Sequence, residues 1–283
     1  MGARLFALGP ESKSVGCIVM AGHDFPEVVL QQIRSWDLDL VVHEVLDKTS
    51  TRGLLKYGDL DFGRSADVLH SLAKPDDIEK QTHAVLEARA SLSLHRKPYI
   101  IWEPLPPFCI SENGDAHLRA CRFVDIFSPN HIELGKLVHP GSDLAASFDR
   151  SVVEMYAQRI VDHGIGQEGR GTAVIRCGEH GCLVSSSSYG PRWFPTYYDP
   201  SSPKVVDTTG AGNAFLGGFA IALAKTDDLT EATIHGMVSA SFALEQIGLP
   251  VQGGSGGHET WNDVEVSQRL EEYRKRLQDL PTE

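Results

Sequence analysis

The chain has 283 residues, of which 41% are hydrophobic and 23% charged, as in an ordinary soluble globular protein. Its net charge of −12 argues against a nucleic-acid or anionic-membrane surface, which needs clustered Lys and Arg. No apolar run is long enough to span a bilayer, and the first residues lack the apolar core of a secretory signal. We therefore expect a cytoplasmic protein with a small-molecule ligand and no nucleic-acid or membrane partner.

Cysteine and histidine usage points the same way. The five cysteines are odd in number and show no Cys-x-x-Cys spacing, which favours reduced thiols. The twelve histidines are scattered without a His-x-x-x-His pair, so we expect no metal cage.

Apolar runs alternate with helical spacings along the first two thirds of the chain. They predict a strand–helix–strand unit over 15–42, a helix over 76–96, strands over 98–102 and 122–127, a helix over 151–163, and strands over 172–177, 182–186 and 193–197. Strands that alternate with helices imply a mostly parallel sheet covered on both faces. No repeat or linker divides the chain, so we expect one single domain over residues 1–283.

The last third is predicted to be largely helical. A short strand over 203–206 leads into a glycine turn and an apolar helix. Thr230 is the expected N-cap of the next helix. The C-terminal segment 258–283 is expected to hold a final helix that starts at Asn262, with Glu265 three residues on as a capping-box-like pair.

The most informative segment is residues 207–218, which read Asp-Thr-Thr-Gly-Ala-Gly-Asn-Ala-Phe-Leu-Gly-Gly. A glycine turn that opens directly into a helix is an anion site, because unpaired backbone N–H groups converge at the positive helix end. Glycines let the backbone approach a phosphate or a developing negative charge without a Cβ in the way. We predict anion or phosphate binding at Thr208, Gly210, Ala211 and Gly212.

This segment closely resembles the signature of the ribokinase/PfkB family of small-molecule kinases, and within that family the chain resembles a fungal kinase-like branch. The resemblance implies a three-layer α/β/α ribokinase-like sandwich with a mostly parallel sheet. At the position of Asn213 the family has an aspartate, which is its catalytic base. An amide cannot take a proton at neutral pH. Since a positioned general base contributes roughly 10²–10⁴-fold, we expect impaired phosphoryl transfer.

Two further pairs resemble family elements. Asn130 and Glu133 resemble an Asn-x-x-Glu element that helps to organise the magnesium–phosphate network, although the same pair could cap a helix. Gly178 and Gly181 resemble the glycines of a strand–turn–strand that borders the nucleotide, although a simple hairpin needs them too.

Two residues are substrate-side candidates by the same resemblance. Glu103 lies where the family often has a short polar stretch at a strand end, and a capped turn is the alternative. Arg52 lies where the family enters its substrate-covering lid, and an exposed hairpin is the alternative. The lid expected here is reduced, over residues 51–67.

The start of the chain departs from the family pattern. In the family, a full strand and helix precede the part equivalent to 15–25 and supply an aspartate that grips sugar hydroxyls. Here only residues 1–6 resemble the tail of that helix. Either the sequence is truncated or half of the sugar-binding apparatus has been lost.

Three functions remain open from the sequence. The chain could be a pseudokinase or small-molecule binder that retains its anion pocket. It could be a repurposed enzyme, such as a cofactor-free isomerase or cyclase, that uses the pocket to stabilise an oxyanion. It could also be a weakly active ATP-dependent kinase. ATP and Mg²⁺ are the cofactors that the resemblance implies, and a monomer and a homodimer are both compatible with a short lid.

Overall fold

The computed structural model describes residues 1–45, 47, 67–94, 96–255 and 258–280. Contacts between residues divide the chain into two compact units. Unit 1 comprises Met1–Lys56 with Tyr197–Glu283, and unit 2 comprises Tyr57–Thr196. The prediction of one single domain stays a prediction.

Ten strands lie in the described residues. They are β1 (Gly16–Gly22), β2 (Asp39–Val45), β3 (Val68–Ala73), β4 (Tyr99–Pro104), β5 (Ile126–Phe127), β6 (Thr172–Arg176), β7 (Cys182–Ser186), β8 (Arg192–Phe194), β9 (Gln252–Ser255) and β10 (His258–Trp261). The eight α-helices in the same residues are α1 (Glu27–Ser35), α2 (Pro75–Ser91), α3 (Gly114–Cys121), α4 (His131–Val138), α5 (Arg150–His163), α6 (Ala211–Thr226), α7 (Leu229–Leu244) and α8 (Val266–Gln278).

Unit 2 is built on a six-stranded sheet in the order β3-β4-β5-β6-β7-β8. Strands β3 to β6 are parallel, and β7 and β8 are antiparallel additions. The central strands read as continuous apolar runs because both sheet faces are covered. Trp102 and Phe127 are fully buried there, with Leu134 of α4 and Val153 of α5 in the same core. The predicted mostly parallel sheet is confirmed.

Unit 1 contains the predicted strand–helix–strand, with β1 and β2 paired in parallel. Its helices α6 and α7 bury apolar side chains, including Phe219 and Phe242. Helix α8 is attached through the buried Arg269, which contacts both carboxylate oxygens of Glu245 at 2.8 and 2.9 Å. A short antiparallel pair, β9 with β10, completes the described part of the unit.

Three local predictions in unit 1 were wrong. Residues 203–206 form no strand, because the N–H of Val206 donates to the carbonyl of Leu244 instead of to a sheet neighbour. The N-cap of α7 is Asp228 and not Thr230, since the Asp228 carboxylate accepts from the N–H of Thr230.

The final helix also begins later than predicted. Helix α8 begins at Val266 with Glu265 as its N-cap residue, and no side chain caps it. Asn262 is in the left-handed region with φ 49°. Its Nδ2 donates to Phe242 and Glu245 at the end of α7, and its Oδ1 accepts from the N–H of Val251, so that the oxygen is not free to cap α8.

All five cysteines are free thiols, and four of them are buried. None of the helices in the described residues is long and apolar enough to cross a membrane.

Candidate functional site

The glycine turn in unit 1 leads directly into α6. Gly210 has a left-handed backbone with φ 79° and precedes the first helical residue, Ala211. Upstream, Oδ1 of Asp207 accepts from the N–H of Thr209 at 2.9 Å, and the carbonyl of Thr208 accepts from Ala211 at 3.2 Å. These local bonds shape the turn without a preceding strand.

The first turn of α6 leaves backbone donors unused. Within the part of the chain that the structure describes, the N–H groups of Gly212 and Asn213 make no backbone hydrogen bond to the residues before α6. The carbonyl of Gly210 accepts from Ala214 at 2.9 Å, so the helical ladder starts only there. Asn213 is exposed. Free N–H groups at the positive end of a 16-residue helix form an environment that favours an anion.

A second set of candidate residues meets in unit 2, at the carboxyl ends of neighbouring parallel strands. Glu103 is near the end of β4, Ser128 directly follows β5, and Arg176 ends β6. Nη2 of Arg176 is 2.8 Å from Oε1 of Glu103 and 3.0 Å from the carbonyl oxygen of Ser128. Nε2 of His70 on β3 is 3.1 Å from Oε2 of Glu103.

Asn130 and Glu133 join this set through the first turn of α4. Oδ1 of Asn130 accepts from the N–H of Glu133 at 2.8 Å, and Oε2 of Glu133 accepts from the N–H of Asn130 at 2.8 Å. This is a reciprocal capping box, as the sequence allowed. Oε2 of Glu133 is also 3.9 Å from Nη2 of Arg176, so both carboxylates face one guanidinium.

The two carboxylates have opposite pKa shifts. Burial alone raises the pKa of Glu103, but the hydrogen bond to His70 and the charge of Arg176 outweigh it, so the net pKa is lowered. Burial raises the pKa of Glu133, and the hydrogen bond from Asn130 and the Arg176 charge offset this only in part. The better-paired carboxylate is therefore Glu103.

Arg176 and His70 were not predicted as site residues. Arg176 stands two positions before Gly178 at a strand end, and His70 interrupts the apolar run Val-Leu-His-Ser-Leu-Ala of β3. A polar residue inside or at the end of an apolar strand was the available signal in both cases.

The predicted nucleotide-side glycines lie in the turn between β6 and β7. Gly178 has φ 57° and Gly181 has φ 95°, so both occupy conformations that favour glycine. Between them, the ring of His180 stacks on Phe148 with centroids 3.6 Å apart. Arg52 and residues 51–66 of the predicted lid lie outside the described residues.

The residues of the unit 2 cluster do not fit a directly coordinated Mg²⁺. Their carboxylate and amide oxygens are the donors that Mg²⁺ prefers. However, the oxygens of Glu103 face Arg176 and His70, and the capping box engages Oδ1 of Asn130 and Oε2 of Glu133. Nowhere in the described ranges do three or more His, Cys, Asp or Glu residues form a group that could hold a metal ion.

Comparisons with known proteins agree with this architecture. A sequence profile described as pfkB family carbohydrate kinase matches residues 106–250. The chain is 32% identical to an uncharacterized protein of Schizosaccharomyces pombe, over 98% of the chain and 84% of that protein. It is 28% identical to Protein MAK32 of Saccharomyces cerevisiae, over 93% of the chain and 79% of that protein.

Among solved structures, the ribokinase of Giardia lamblia superposes with a TM-score of 0.65 at 16% identity. The superposition covers 87% of this chain and 82% of that one. The likeness shows the fold, and the predicted ribokinase-like fold is confirmed.

Proposed function

The chain belongs to the pfkB family of carbohydrate kinases, and we propose that it is a pseudokinase that binds an anionic small molecule and transfers phosphate poorly. The observation that supports this proposal is the first turn of α6. There the unpaired N–H groups of Gly212 and Asn213 adjoin an exposed amide side chain at the position of the family's base.

The retained part of the site is the anion-binding turn. Backbone N–H donors at a helix start keep their positive character whatever side chain follows, so the turn at Thr208, Gly210, Ala211 and Gly212 keeps its affinity for a phosphate. A nucleoside triphosphate such as ATP is the ligand class that fits this turn in a kinase relative.

The impaired part is the proton transfer. The Asn213 amide can donate or accept a hydrogen bond, but it cannot accept the proton of a substrate hydroxyl at neutral pH. Loss of a positioned base is worth roughly 10²–10⁴-fold in rate. Binding without efficient turnover follows.

One other function is favoured by a specific observation. An amide beside unpaired helical N–H groups can stabilise an oxyanion without any proton transfer to the side chain. The second candidate is therefore a repurposed, cofactor-free isomerase or cyclase. A weakly active ATP-dependent kinase needs a water molecule or another residue as its base, and it remains the third candidate.

The proposed setting is the cytoplasm. The five free thiols support a reducing compartment, since disulfides are rare there. A monomer and a homodimer both remain compatible with the proposal.

Calorimetry with ATP, with and without Mg²⁺, combined with a phosphotransfer assay on sugars and nucleosides, tests the proposal. We expect ATP binding and turnover near background. Efficient transfer to any acceptor would overturn the pseudokinase assignment in favour of a kinase. Absence of any ATP binding would favour the repurposed enzyme.

A further inference from the structure

Two buried carboxylates in unit 2 share one positive group. The side chains of Glu103 and Glu133 are 9% and 10% exposed, and that of Arg176 is 13% exposed. A carboxylate removed from water needs a compensating charge, since its desolvation is costly. Arg176 supplies that charge, with Nη2 facing an oxygen of each carboxylate at 2.8 and 3.9 Å.

A divalent cation in the position of this guanidinium could also neutralise the two carboxylates. Two carboxylates from different elements, β4 and α4, are the oxygen donors from which proteins build Mg²⁺ and Mn²⁺ sites. In place of such a cation, an Arg side chain supplies a single permanent positive charge and directional N–H donors. The remaining hydrogen of Nη2 is used as well, because this nitrogen donates to the carbonyl of Ser128 at 3.0 Å.

We propose that the guanidinium of Arg176 takes the place of a divalent cation between Glu103 and Glu133, so that this cluster holds no Mg²⁺ and part of its negative charge is balanced from within the chain. The inference goes beyond the proposed function. It concerns unit 2 alone and does not depend on whether Asn213 supports phosphotransfer.

The alternative is that Arg176 and the two carboxylates form an ordinary structural ion pair in a place where no cation would bind. The two cases differ in what happens when the guanidinium is removed. A cluster built like a cation site gains affinity for a divalent cation, whereas an ordinary ion pair only loses stability.

The test is binding of Mn²⁺ alone, measured by electron paramagnetic resonance, to the full chain and to Arg176→Ala. In the wild type we expect no Mn²⁺ site that is lost when Glu133→Gln is introduced. We expect Arg176→Ala to gain one site, whose affinity falls by about tenfold or more when Glu133→Gln is added. Arg176→Lys is the matched control, because it retains a positive charge and should gain no site.

Two results would overturn the proposal. The first is that the wild type binds Mn²⁺ and that Glu133→Gln abolishes this binding. A cation would then bind beside Glu133 although Arg176 is present. The other is a folded Arg176→Ala that gains no site. If Arg176→Ala fails to fold, Arg176→Gln, which is uncharged but leaves a smaller gap, takes its place, because only a variant without the guanidinium separates the proposal from an ordinary ion pair.

Discussion

The guanidinium of Arg176 and the carboxylate of Glu103 form an ion pair between the ends of β6 and β4, with 2.8 Å between Nη2 and Oε1. Strand β5 lies between these two strands, and the carbonyl of Ser128 directly after it accepts from the same nitrogen. The Arg176 side chain thus links the ends of three strands. Its removal should lower the stability of the fold as well as change cation binding.

Glu103 should stabilise the fold in a pH-dependent way. Its native pKa is lowered from the ordinary 4.5, despite burial, by His70 and Arg176. A lowered native pKa means that stabilisation is present above 4.5 and is lost as the pH falls through the native pKa. We expect Glu103→Gln to lower the free energy of unfolding at neutral pH by about 3 kcal/mol, with the difference shrinking in acid. Urea unfolding across this pH range measures it.

Glu133→Gln is the matched control for that experiment. Burial raises the native pKa of Glu133, so its titration should contribute with the opposite sign and reduce stability as the pH rises. The amide oxygen of Gln can still accept from Asn130. A Glu103→Gln difference that stays constant from neutral to acid pH would contradict the assignment.

The two turn glycines should respond differently to alanine. A Cβ on Gly181 would lie 2.1 Å from the carbonyl oxygen of Phe194, whereas a Cβ on Gly178 would meet nothing within 4 Å. Gly178→Ala should therefore cost only the left-handed backbone strain, about 1–2 kcal/mol. Gly181→Ala adds a collision with β8 and should cost more, which thermal unfolding of the two variants would show.

Gly178→Ala also separates the two interpretations of the turn. If the turn borders a nucleotide, the folded variant should bind ATP more weakly than the wild type in calorimetry. Unchanged ATP affinity would leave the turn as a hairpin connection only.

Asn213→Asp should restore proton transfer if the rest of the kinase site is intact. A carboxylate in the first turn of α6 is favoured by the helix dipole, so the variant should fold at least as stably as the wild type. We expect ATP-dependent phosphotransfer to rise by roughly 10²-fold or more. Asn213→Ala, which supplies no base, should show no rise. A wild type that is as fast as the Asp variant would refute the role of this position.

The pair Arg269–Glu245 should contribute more to the free energy of unfolding than the pair Arg274–Glu231. The first pair is 4% and 7% exposed, and Arg269 also stacks 3.7 Å over the Phe242 ring. Arg269→Met leaves a buried carboxylate without its main partner and should cost about 3–5 kcal/mol in denaturant unfolding. Arg274→Met removes a pair that is 37% and 32% exposed and should cost less than about 1 kcal/mol. Equal losses would show that α8 is not held through Arg269.

Features that depend on near neighbours could be predicted from the amino-acid sequence alone. The glycine turn, the start of α6 with Asn213 in its first turn, and the capping box of Asn130 with Glu133 all rest on bonds across a few residues. The alternation of apolar runs with helical spacings was likewise enough to predict the mostly parallel sheet, because buried parallel strands are apolar on both faces.

Which distant groups share a partner could be read only from the folded structure. Glu103, Glu133 and Arg176 meet because the order of the sheet brings the carboxyl ends of β4, β5 and β6 to one edge, and no local pattern encodes that order. In the same way, Val206 donates to Leu244 and Asn262 binds the end of α7, and these long-range hydrogen bonds override the local strand and cap signals. Local propensity decides the structure of a segment only where no distant part of the fold offers its polar and charged groups better partners.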